Sequence, residues 1–329
     1  MEIRLTAPIL PTVLKQEDPL KFPLTILTLA TVLCTGCSML TPSLPVADRM
    51  SAIDVERIEP VTHASGRDGA SLRVISLNLA HGRKDSFSQL FVSEEQIRSN
   101  LADVVKFLQR ENADVVTLQE ADSPSWWSGN FDHVEFLARE AGYPWFTHAN
   151  HVDNLFGTYG TAVLSRYPIR NGYRVDFNPT PPTTRKGFTL AEIEWTVGAD
   201  DPVQLVDVVS VHLDFASRSR RIEQIRDMKA VLGERDRPTI VLGDFNSEWN
   251  DGEQEIQSLA KVKKLQTHRP EANYLYTYAD SRLDWILISR HFEFCQYHAP
   301  ADILSDHLAV FSEIVARHEH HHPPACKSA

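Results

Sequence analysis

Val241-Leu242-Gly243-Asp244-Phe245-Asn246 is an apolar strand that ends in a carboxylate and an amide two positions apart. Successive side chains of a strand point to opposite faces, so the spacing predicts Asp244 and Asn246 in one pocket and Phe245 in the core. An acid can orient an attacking water and an amide can hold that water or a phosphoryl oxygen, so the pair suits phosphate chemistry. Taken alone, the same residues also fit an ordinary turn after a buried strand.

Further segments along the chain decide between these interpretations. The motif Ser305-Asp306-His307 lies near the C-terminus, and similar apolar runs that carry polar residues stand at 72–78, 114–120, 160–169, 211–214 and 282–287. In this order, the segments resemble those of the endonuclease/exonuclease/phosphatase superfamily, the DNase I-like metal-dependent phosphoesterases. The resemblance runs from about residue 72 to residue 311.

Short β-branched strands alternate with amphipathic helices. Ser93 and Gln96 form a pattern typical of a capping box, and an apolar stripe from Ile97 to Leu108 predicts a helix. Further strands are predicted at 188–195, 203–213, 239–242, 283–288 and 308–314, with helices at 132–141 and 219–232. Periodicity alone leaves a doubly wound α/β fold open. The resemblance implies an α/β fold of the four-layer sandwich type, with two packed mixed β-sheets flanked by helices.

The resemblance also implies a set of catalytic residues. Asp244 would activate or orient the attacking water, and Asn246 would position that water or the phosphate. His307 would stabilise the transition state or act as an acid or base, with Asp284 as the partner of one of the two histidines. His212 ends a buried strand and would contact phosphate, although a lone histidine there is more often a structural residue.

A divalent metal is expected beside these residues. Glu120 closes an apolar run, where a carboxylate is costly unless it is solvated, paired or bound to metal. The resemblance implies Asn78, Glu120 and Asp306 as the metal set, with Mg²⁺ as the ion and Mn²⁺ or Ca²⁺ as alternatives. A strand-end cap is the alternative interpretation of Asn78.

The N-terminus is typical of an exported protein. Residues 22–33 form an apolar run of the size of a signal-peptide core, and the run ends in Leu33-Cys34-Thr35-Gly36-Cys37-Ser38. This end resembles a bacterial lipobox with Cys37 as the lipidated residue, except that Cys34 stands where leucine is preferred. The prediction is a lipid-anchored outer-membrane or periplasmic protein. An ordinary secretory signal, or an uncleaved anchor, is the alternative.

The remaining chain divides into three predicted parts: a tether at 38–70, the catalytic domain at 71–317 and a His-rich tail at 318–329. The tail is expected to be a solvated extension, although its histidines could collect metal ions. Signal processing would remove Cys34 and modification would use Cys37, which leaves Cys295 and Cys326. An oxidising compartment permits a bond between these two cysteines without the sequence requiring it.

Composition limits the substrate. The formal net charge of −11 argues mildly against a high-affinity nucleic-acid binder, although a local basic patch can coexist with an acidic remainder. The first hypothesis is a metal-dependent phosphodiester hydrolase acting on nucleic acid or small phosphodiesters outside the cytoplasm. The second is a phospholipid or inositol phosphoesterase, in which aromatic residues near Trp126 would meet lipid headgroups, although such residues more often pack in the core. The third is a non-catalytic binding lipoprotein on the same fold. No protein partner is inferred.

Overall fold

The structure is a computed structural model that describes residues 44–61, 71–86, 92–155, 157–197, 201–250, 255–272 and 274–317. The expected signal peptide with Cys37, residues 38–43 and 62–70 of the expected tether, and the His-rich tail at 318–329 lie outside the described residues. Among the helices described, none has both the length and the apolar content needed to cross a bilayer.

Strands and helices alternate along the described chain. The strands are β1 (Met50–Ile53), β2 (Glu56–Arg57), β3 (Ser71–Asn78), β4 (Val115–Asp122), β5 (Trp145–Asn154), β6 (Gly157–Ser165), β7 (Ile169–Asp176), β8 (Gly187–Trp195), β9 (Gln204–His212), β10 (Thr239–Asp244), β11 (Asp284–Ile288), β12 (Phe292–His298) and β13 (Val310–Ala316). The α-helices are α1 (Glu94–Glu111), α2 (His133–Ala141), α3 (Arg218–Gly233) and α4 (Glu255–Lys263). Short 3-10 turns lie at Val46–Arg49, Ala80–Gly82 and Trp126–Ser128.

The strands form two mixed sheets. Sheet I has the order β1-β7-β8-β9-β10-β11, and sheet II has the order β12-β13-β3-β4-β6-β5-β2. In sheet I, β9 and β10 are parallel; in sheet II, β3 and β4 are parallel, and the other paired strands of both sheets are antiparallel.

Alternation along the strands builds three apolar layers. In β3, Val74 packs between the two sheets, whereas Ile75 packs against α1 and α2 on the outer face of sheet II. In β10, Leu242 packs between the sheets, whereas Val241 packs against α3 and α4 on the outer face of sheet I. Both faces of each sheet are therefore buried, and the layer order is helix, sheet, sheet, helix. The predicted four-layer α/β sandwich is confirmed.

The segment before β3 differs from the predicted tether at 38–70. Met50–Ile53 pairs antiparallel with β7, and Glu56–Arg57 pairs with β5, so each segment adds an edge strand to one sheet. The side chains of these strands are exposed or half-buried. Edge pairing through backbone hydrogen bonds needs no apolar alternation, so the sequence pattern gives no signal for it. The domain thus begins before residue 71.

The N-terminus of α1 follows the sequence pattern in part. The Ser93 hydroxyl accepts a hydrogen bond from the backbone N–H of Gln96 at 3.3 Å, as an N-cap should. The Gln96 side chain donates to Asn100 instead of returning to Ser93, so the reciprocal half of the predicted capping box is absent from the described contacts.

Four further strands and helices have no counterpart in the prediction: β5, β7, β12 and α4. Strand β12 carries mostly half-buried side chains at an edge of sheet II, so its pattern shows no clear alternation. Cys295 on this strand is disulfide-bonded. Cys326, the partner that the sequence permits, lies outside the described residues.

Candidate active site

Strand register brings three predicted residues to one level of sheet I. In the parallel pair β9 and β10, Asp244 stands opposite His212, and in the antiparallel pair β10 and β11 it stands opposite Asp284. In sheet II, the parallel pair β3 and β4 places Asn78 opposite Gln119, next to Glu120. Parallel neighbours end at the same sheet edge, so the polar residues that close these strands collect there.

A β-bulge directs Glu120 toward this group. Gln119 points between the sheets, where its amide donates to the Ser210 hydroxyl, so regular alternation would send Glu120 to the outer face. Instead, pairing shifts between Gln119 and Ala121, and Glu120 adopts φ 47°. Ala121 then takes the outer core position, and the Glu120 carboxylate reaches the edge of the sandwich near His212.

Asp244 is buried at the centre of the site. Its Oδ2 accepts a hydrogen bond from Asn78 Nδ2 at 3.1 Å, across the gap between the sheets, and its Oδ1 accepts one from the backbone N–H of Asn246 at 2.9 Å. The same Oδ2 lies 3.5 Å from His212 Nε2 and 3.9 Å from His307 Nε2. A single carboxylate oxygen therefore faces one amide and two imidazoles.

Asp284 and His307 form a buried pair. His307 Nδ1 lies 2.8 Å from Asp284 Oδ2, which orients the ring so that Nε2 faces Asp244. Burial alone would lower the pKa of His307, but the charge and hydrogen bond of Asp284, with Asp244 and Asp306 nearby, raise it to about 10. The expectation that Asp284 partners one of the two histidines matches this contact.

His212 has a different electrostatic environment. Burial and the positive charge of Lys186 hold the pKa of His212 well below its ordinary value. Lys186 Nζ lies 3.4 Å from His212 Nδ1 and 3.8 Å from Glu120 Oε1. His212 is accordingly neutral at pH 7, whereas His307 carries a proton, so the two imidazoles can take different roles.

The donor set fits a divalent cation. Asp244, Asp284 and His307 each offer a ligand atom, and these atoms lie within 4.8 Å of one another. Burial and the charge of Asp284 raise the pKa of Asp244 to about 7, and Asp284 Oδ1 has no hydrogen-bond partner among the described residues. Two buried carboxylates beside a single imidazolium are undercompensated, and a hard cation would satisfy the orphaned oxygen.

Two predicted metal ligands have other partners in this structure. Asp306 Oδ2 forms an ion pair with Arg83, so its carboxylate would have to leave Arg83 to reach a cation. Glu120 faces His81 Nε2 at 3.4 Å, and although its burial opposes ionisation, His81, Lys186, His212 and His307 together lower its pKa to about 2. Glu120 is thus an anion surrounded by donors, next to the three-ligand group.

Asn246 lies next to Asp244, but its amide nitrogen binds elsewhere. Its Nδ2 donates to the carbonyl of Leu213 at 3.0 Å, and its backbone adopts φ 48°. Phe245 is buried in the core between sheet I and α3, as the alternation predicts. The strand alternation therefore predicts the position of Phe245 correctly. The left-handed turn at Asn246 ends that alternation and sets the orientation of the Asn246 side chain.

Sequence reasoning missed two residues near Glu120, His81 and Asp122. His81 Nδ1 contacts Asp122 Oδ2 at 2.8 Å, and the Trp127 indole donates to Asp122 Oδ1 at 3.0 Å. The Tyr159 ring meets the His81 ring edge-on at 4.7 Å. His81 lies three positions after Asn78 and directly before Gly82, in a loop of left-handed backbone. Gly82 is the only local sequence signal of this loop. Lys186 had no signal beyond its place before β8.

Arg166 and Asp214 lie outside the Asp244 group. Arg166 is buried at the opposite end of β4, where its backbone N–H donates to the Asp114 carbonyl and its guanidinium packs on Tyr143. Asp214 accepts hydrogen bonds from the backbone N–H groups of Ala216 and Ser217, and so shapes the turn into α3. Neither contacts the Asp244 group among the described contacts.

Solved structures share this fold. An endonuclease/exonuclease/phosphatase from Beutenbergia cavernae is 20% identical, with a TM-score of 0.56 over 75% of this chain and 72% of its own. The human Nocturnin catalytic domain, solved with bound sulfate, is 17% identical, with a TM-score of 0.57 over 83% of this chain and 100% of its own. Sphingomyelinase C from Streptomyces griseocarneus is 19% identical, with a TM-score of 0.52 over 74% of this chain and 99% of its own. These identities show the fold alone.

Family membership rests on a sequence comparison. No curated protein sequence matches this chain. Residues 75–307 match the family described as the Endonuclease/Exonuclease/phosphatase family, and this range contains the five strand ends that build the site. The resemblance inferred from the motifs is confirmed, and the chain belongs to the Endonuclease/Exonuclease/phosphatase family of phosphoesterases.

Proposed function

We propose that this protein is a divalent-metal-dependent phosphodiester hydrolase. The observation that carries the proposal is the meeting of Asn78, His212, Asp244, Asp284 and His307 around one buried carboxylate oxygen, at the edge where two sheets end. A buried, convergent set of acid, amide and imidazole groups supplies the components of phosphoester hydrolysis.

Each residue then has a chemical role. Asp244 takes a proton from water as the water oxygen attacks phosphorus, and its pKa near 7 suits a general base at neutral pH. The His307 imidazolium donates from Nε2 to the phosphoryl group, where negative charge accumulates as the bond to the leaving oxygen breaks. The neutral His212 and the amide of Asn78 orient the phosphate. The leaving oxygen takes up a proton from solvent, and Asp244 releases the proton that it accepted, which completes the hydrolysis.

Mg²⁺ is the proposed ion, with Mn²⁺ or Ca²⁺ as alternatives. Asp244 and Asp284 would hold it as the structure stands, with Glu120 and Asn78 at the neighbouring strand ends and Asp306 available if it leaves Arg83, while the protonated His307 would stay outside the coordination shell. When bound, the ion supplies Lewis-acid polarisation of a phosphoryl oxygen.

The charges near the site favour a small phosphodiester over polymeric nucleic acid. Arg83 pairs with Asp306, and Lys84 pairs with Asp103, so these two basic residues beside the site are already partly neutralised. Lys186 is buried against Glu120. With a net charge of −11, the protein has a weak electrostatic attraction for a polyanion.

Exposed aromatic residues support a second candidate, a lipid phosphodiester. Trp126 is 58% exposed and adjoins Trp127, which contacts His81, and Phe215 is 63% exposed next to Asp214. Large exposed rings beside a catalytic site are typical of surfaces that meet an apolar substrate or interface. On this hypothesis, the rings would contact the acyl-chain boundary while the headgroup phosphate enters the site.

Hydrolysis assays decide between these substrates. The protein starting after Cys37 is tested with Mg²⁺ on plasmid DNA, on mixed phospholipid vesicles and on bis(4-nitrophenyl) phosphate, with His307→Ala as the control. Hydrolysis of the small ester with intact plasmid supports the first choice, and headgroup release supports the second. Rapid plasmid nicking that His307→Ala abolishes would establish a nuclease. No hydrolysis of any of the three would count against the proposed chemistry.

Export and lipid anchoring through Cys37 are part of the same proposal. The lipobox-like end of the apolar run supports them, and the disulfide at Cys295 supports an oxidising compartment. Metabolic labelling with palmitate in a bacterial host should mark the wild-type chain and leave Cys37→Ser unlabelled. Equal labelling of both would remove Cys37 as the anchor.

A further inference from the structure

A tight turn from Thr277 to Ser281 lies beside the Asp284 and His307 pair. The backbone N–H groups of Thr277 and Tyr278 both donate to the Ser281 carbonyl, and the Ser281 N–H donates to the Tyr278 carbonyl at 2.9 Å. Ala279 within the turn adopts φ 48°. These short reciprocal hydrogen bonds fix the turn as a small rigid unit.

Thr277 connects this unit to both members of the pair. Its hydroxyl oxygen accepts hydrogen bonds from the backbone N–H groups of Leu283 and Asp284, each at 3.0 Å. Its carbonyl accepts a hydrogen bond from the backbone N–H of Leu308, the residue after His307, at 2.7 Å. One threonine therefore holds the backbone on both sides of the Asp284 to His307 hydrogen bond. Thr277 is 2% exposed, so water cannot replace these bonds at low cost.

Tyr278 covers the imidazole from the same turn. Its ring centroid lies 4.7 Å from that of His307 at an interplanar angle of 42°, and the residue remains 42% exposed. The ring leaves His307 Nε2 directed at Asp244 and restricts rotation of the imidazole out of the site. Tyr278 and Thr277 thus act on the same histidine, one through the side chain and one through the backbone.

We infer that the Thr277–Ser281 turn is a positioning element for the catalytic pair, with Thr277 fixing the separation of Asp284 and His307 and Tyr278 fixing the plane of the imidazole. The inference rests on the proposed function only for its effect on turnover. A misplacement of a catalytic group by about 1 Å lowers the rate by about 10²-fold, so loss of these contacts is expected to lower kcat more than it changes KM.

Thr277→Val tests the backbone contacts, because valine keeps the shape and removes the hydroxyl acceptor. With ¹⁵N-histidine labelling and no substrate or metal added, the His307 Nδ1 proton in its hydrogen bond to Asp284 gives a downfield resonance that His307→Gln identifies by its loss. We expect this resonance in wild type and in Thr277→Ser, and its loss or broadening in Thr277→Val. The expected kcat of Thr277→Val is about 10²-fold below wild type, with recovery in Thr277→Ser.

Thr267→Val is the matched control, since the Thr267 hydroxyl has no hydrogen-bond partner among the described residues. It should keep the resonance and kcat. Should Thr277→Val fail to fold, Tyr278→Ala and Tyr278→Phe serve instead, with a broadened resonance and lower kcat expected only for the alanine variant. An unchanged resonance in Thr277→Val, or in Tyr278→Ala, overturns the inference. Loss of the resonance in a protein that hydrolyses none of the three substrates would leave the positioning intact and count against the proposed function alone.

Discussion

At the residue scale, Asp244 shows how burial can prepare a side chain for chemistry. Its carboxylate lies 1% exposed between two histidines and a second aspartate, and the charge of Asp284 adds to the cost of ionisation. The same environment that disfavours the anion makes Asp244 able to accept a proton near pH 7.

Asp244→Asn is therefore expected to separate activity from stability. The variant keeps the shape, but its single amide oxygen can accept from only one of Asn78 and the Asn246 backbone N–H, and it cannot take a proton, so kcat should fall by at least about 10²-fold. The midpoint of thermal unfolding without metal should stay close to that of wild type, because removal of a disfavoured buried charge offsets the lost hydrogen bond. Rate assays with matched thermal melts test both points. Near-wild-type kcat would contradict the role of Asp244 as the base.

A second prediction at the residue scale concerns Asp176 and the pH dependence of the free energy of unfolding. Burial alone would raise its pKa, but hydrogen bonds from His151 Nδ1 and Arg174 Nε, each at 2.8 Å, lower it to about 2. A lowered pKa means that the ion adds stability above the ordinary value of 3.8, and that this stability is lost as the pH falls toward 2.

We expect Asp176→Asn to lower the free energy of unfolding at pH 6 by about 2 kcal/mol, as for a hydrogen bond to a charged group. The difference from wild type should shrink as the pH falls below 3.8. Urea unfolding at several pH values measures it, with Asp201→Asn, at an exposed position, as the charge control. A difference that stays constant with pH would rule out the ionised pair as its cause.

At the element scale, the sequence predicts what periodicity and strand-end motifs can encode. Alternation predicted β8 to β11 to within two residues or so, and the polar ends of β3, β4, β9 and β10 predicted which side chains meet. It could not predict the bulge at Glu120, because left-handed backbone at one residue depends on the packing of Ala121 and on the pairing of β6.

Residues held by contacts distant in the chain escaped prediction for a related reason. Lys186 acts through Glu120 and His212, and Thr277 acts through the backbone on both sides of the Asp284 pair. Their neighbours in sequence carry no pattern for these contacts. Gly243 shows the opposite case: an added Cβ would lie 2.0 Å from the Val211 carbonyl oxygen, so the glycine that precedes Asp244 in the motif is required by the approach of β9.

The prediction at the element scale concerns the N-terminal cap of α1. Ser93→Ala removes the acceptor for the Gln96 N–H, and should lower the free energy of unfolding by about 1 kcal/mol. Ser93→Asp should preserve stability, because aspartate caps equally well and favours the helix N-terminus electrostatically. Chemical denaturation of the three proteins tests this. Equal losses in both variants would show that the cap hydrogen bond is not the source of the effect.

At the scale of the whole molecule, cation binding should stabilise the fold. Only the folded state brings the undercompensated carboxylates of Asp244 and Asp284 together. An ion that binds both of them therefore shifts the unfolding equilibrium toward the folded state. At 100 times its Kd, the ion should add about 2.7 kcal/mol to the free energy of unfolding.

The measurement is a thermal melt after treatment with a chelator, repeated with Mg²⁺ or Mn²⁺ added back. Wild type should gain stability and turnover together, whereas Asp284→Asn should show a much smaller gain. Asp201→Asn should respond like wild type. A gain of the same size in Asp284→Asn would place the ion elsewhere.

The hydrogen bond from Asn78 to Asp244 joins a residue of sheet II to a residue of sheet I. Sheet II itself is completed late in the chain, since Val310–Ala316 inserts beside β3 and pairs Val315 with Ser71. Contacts between such distant residues form slowly and only after the intervening chain exists. During synthesis, nearly the whole polypeptide must therefore be made before the reacting groups can meet, and recovery of activity on refolding would report the final docking of one sheet on the other.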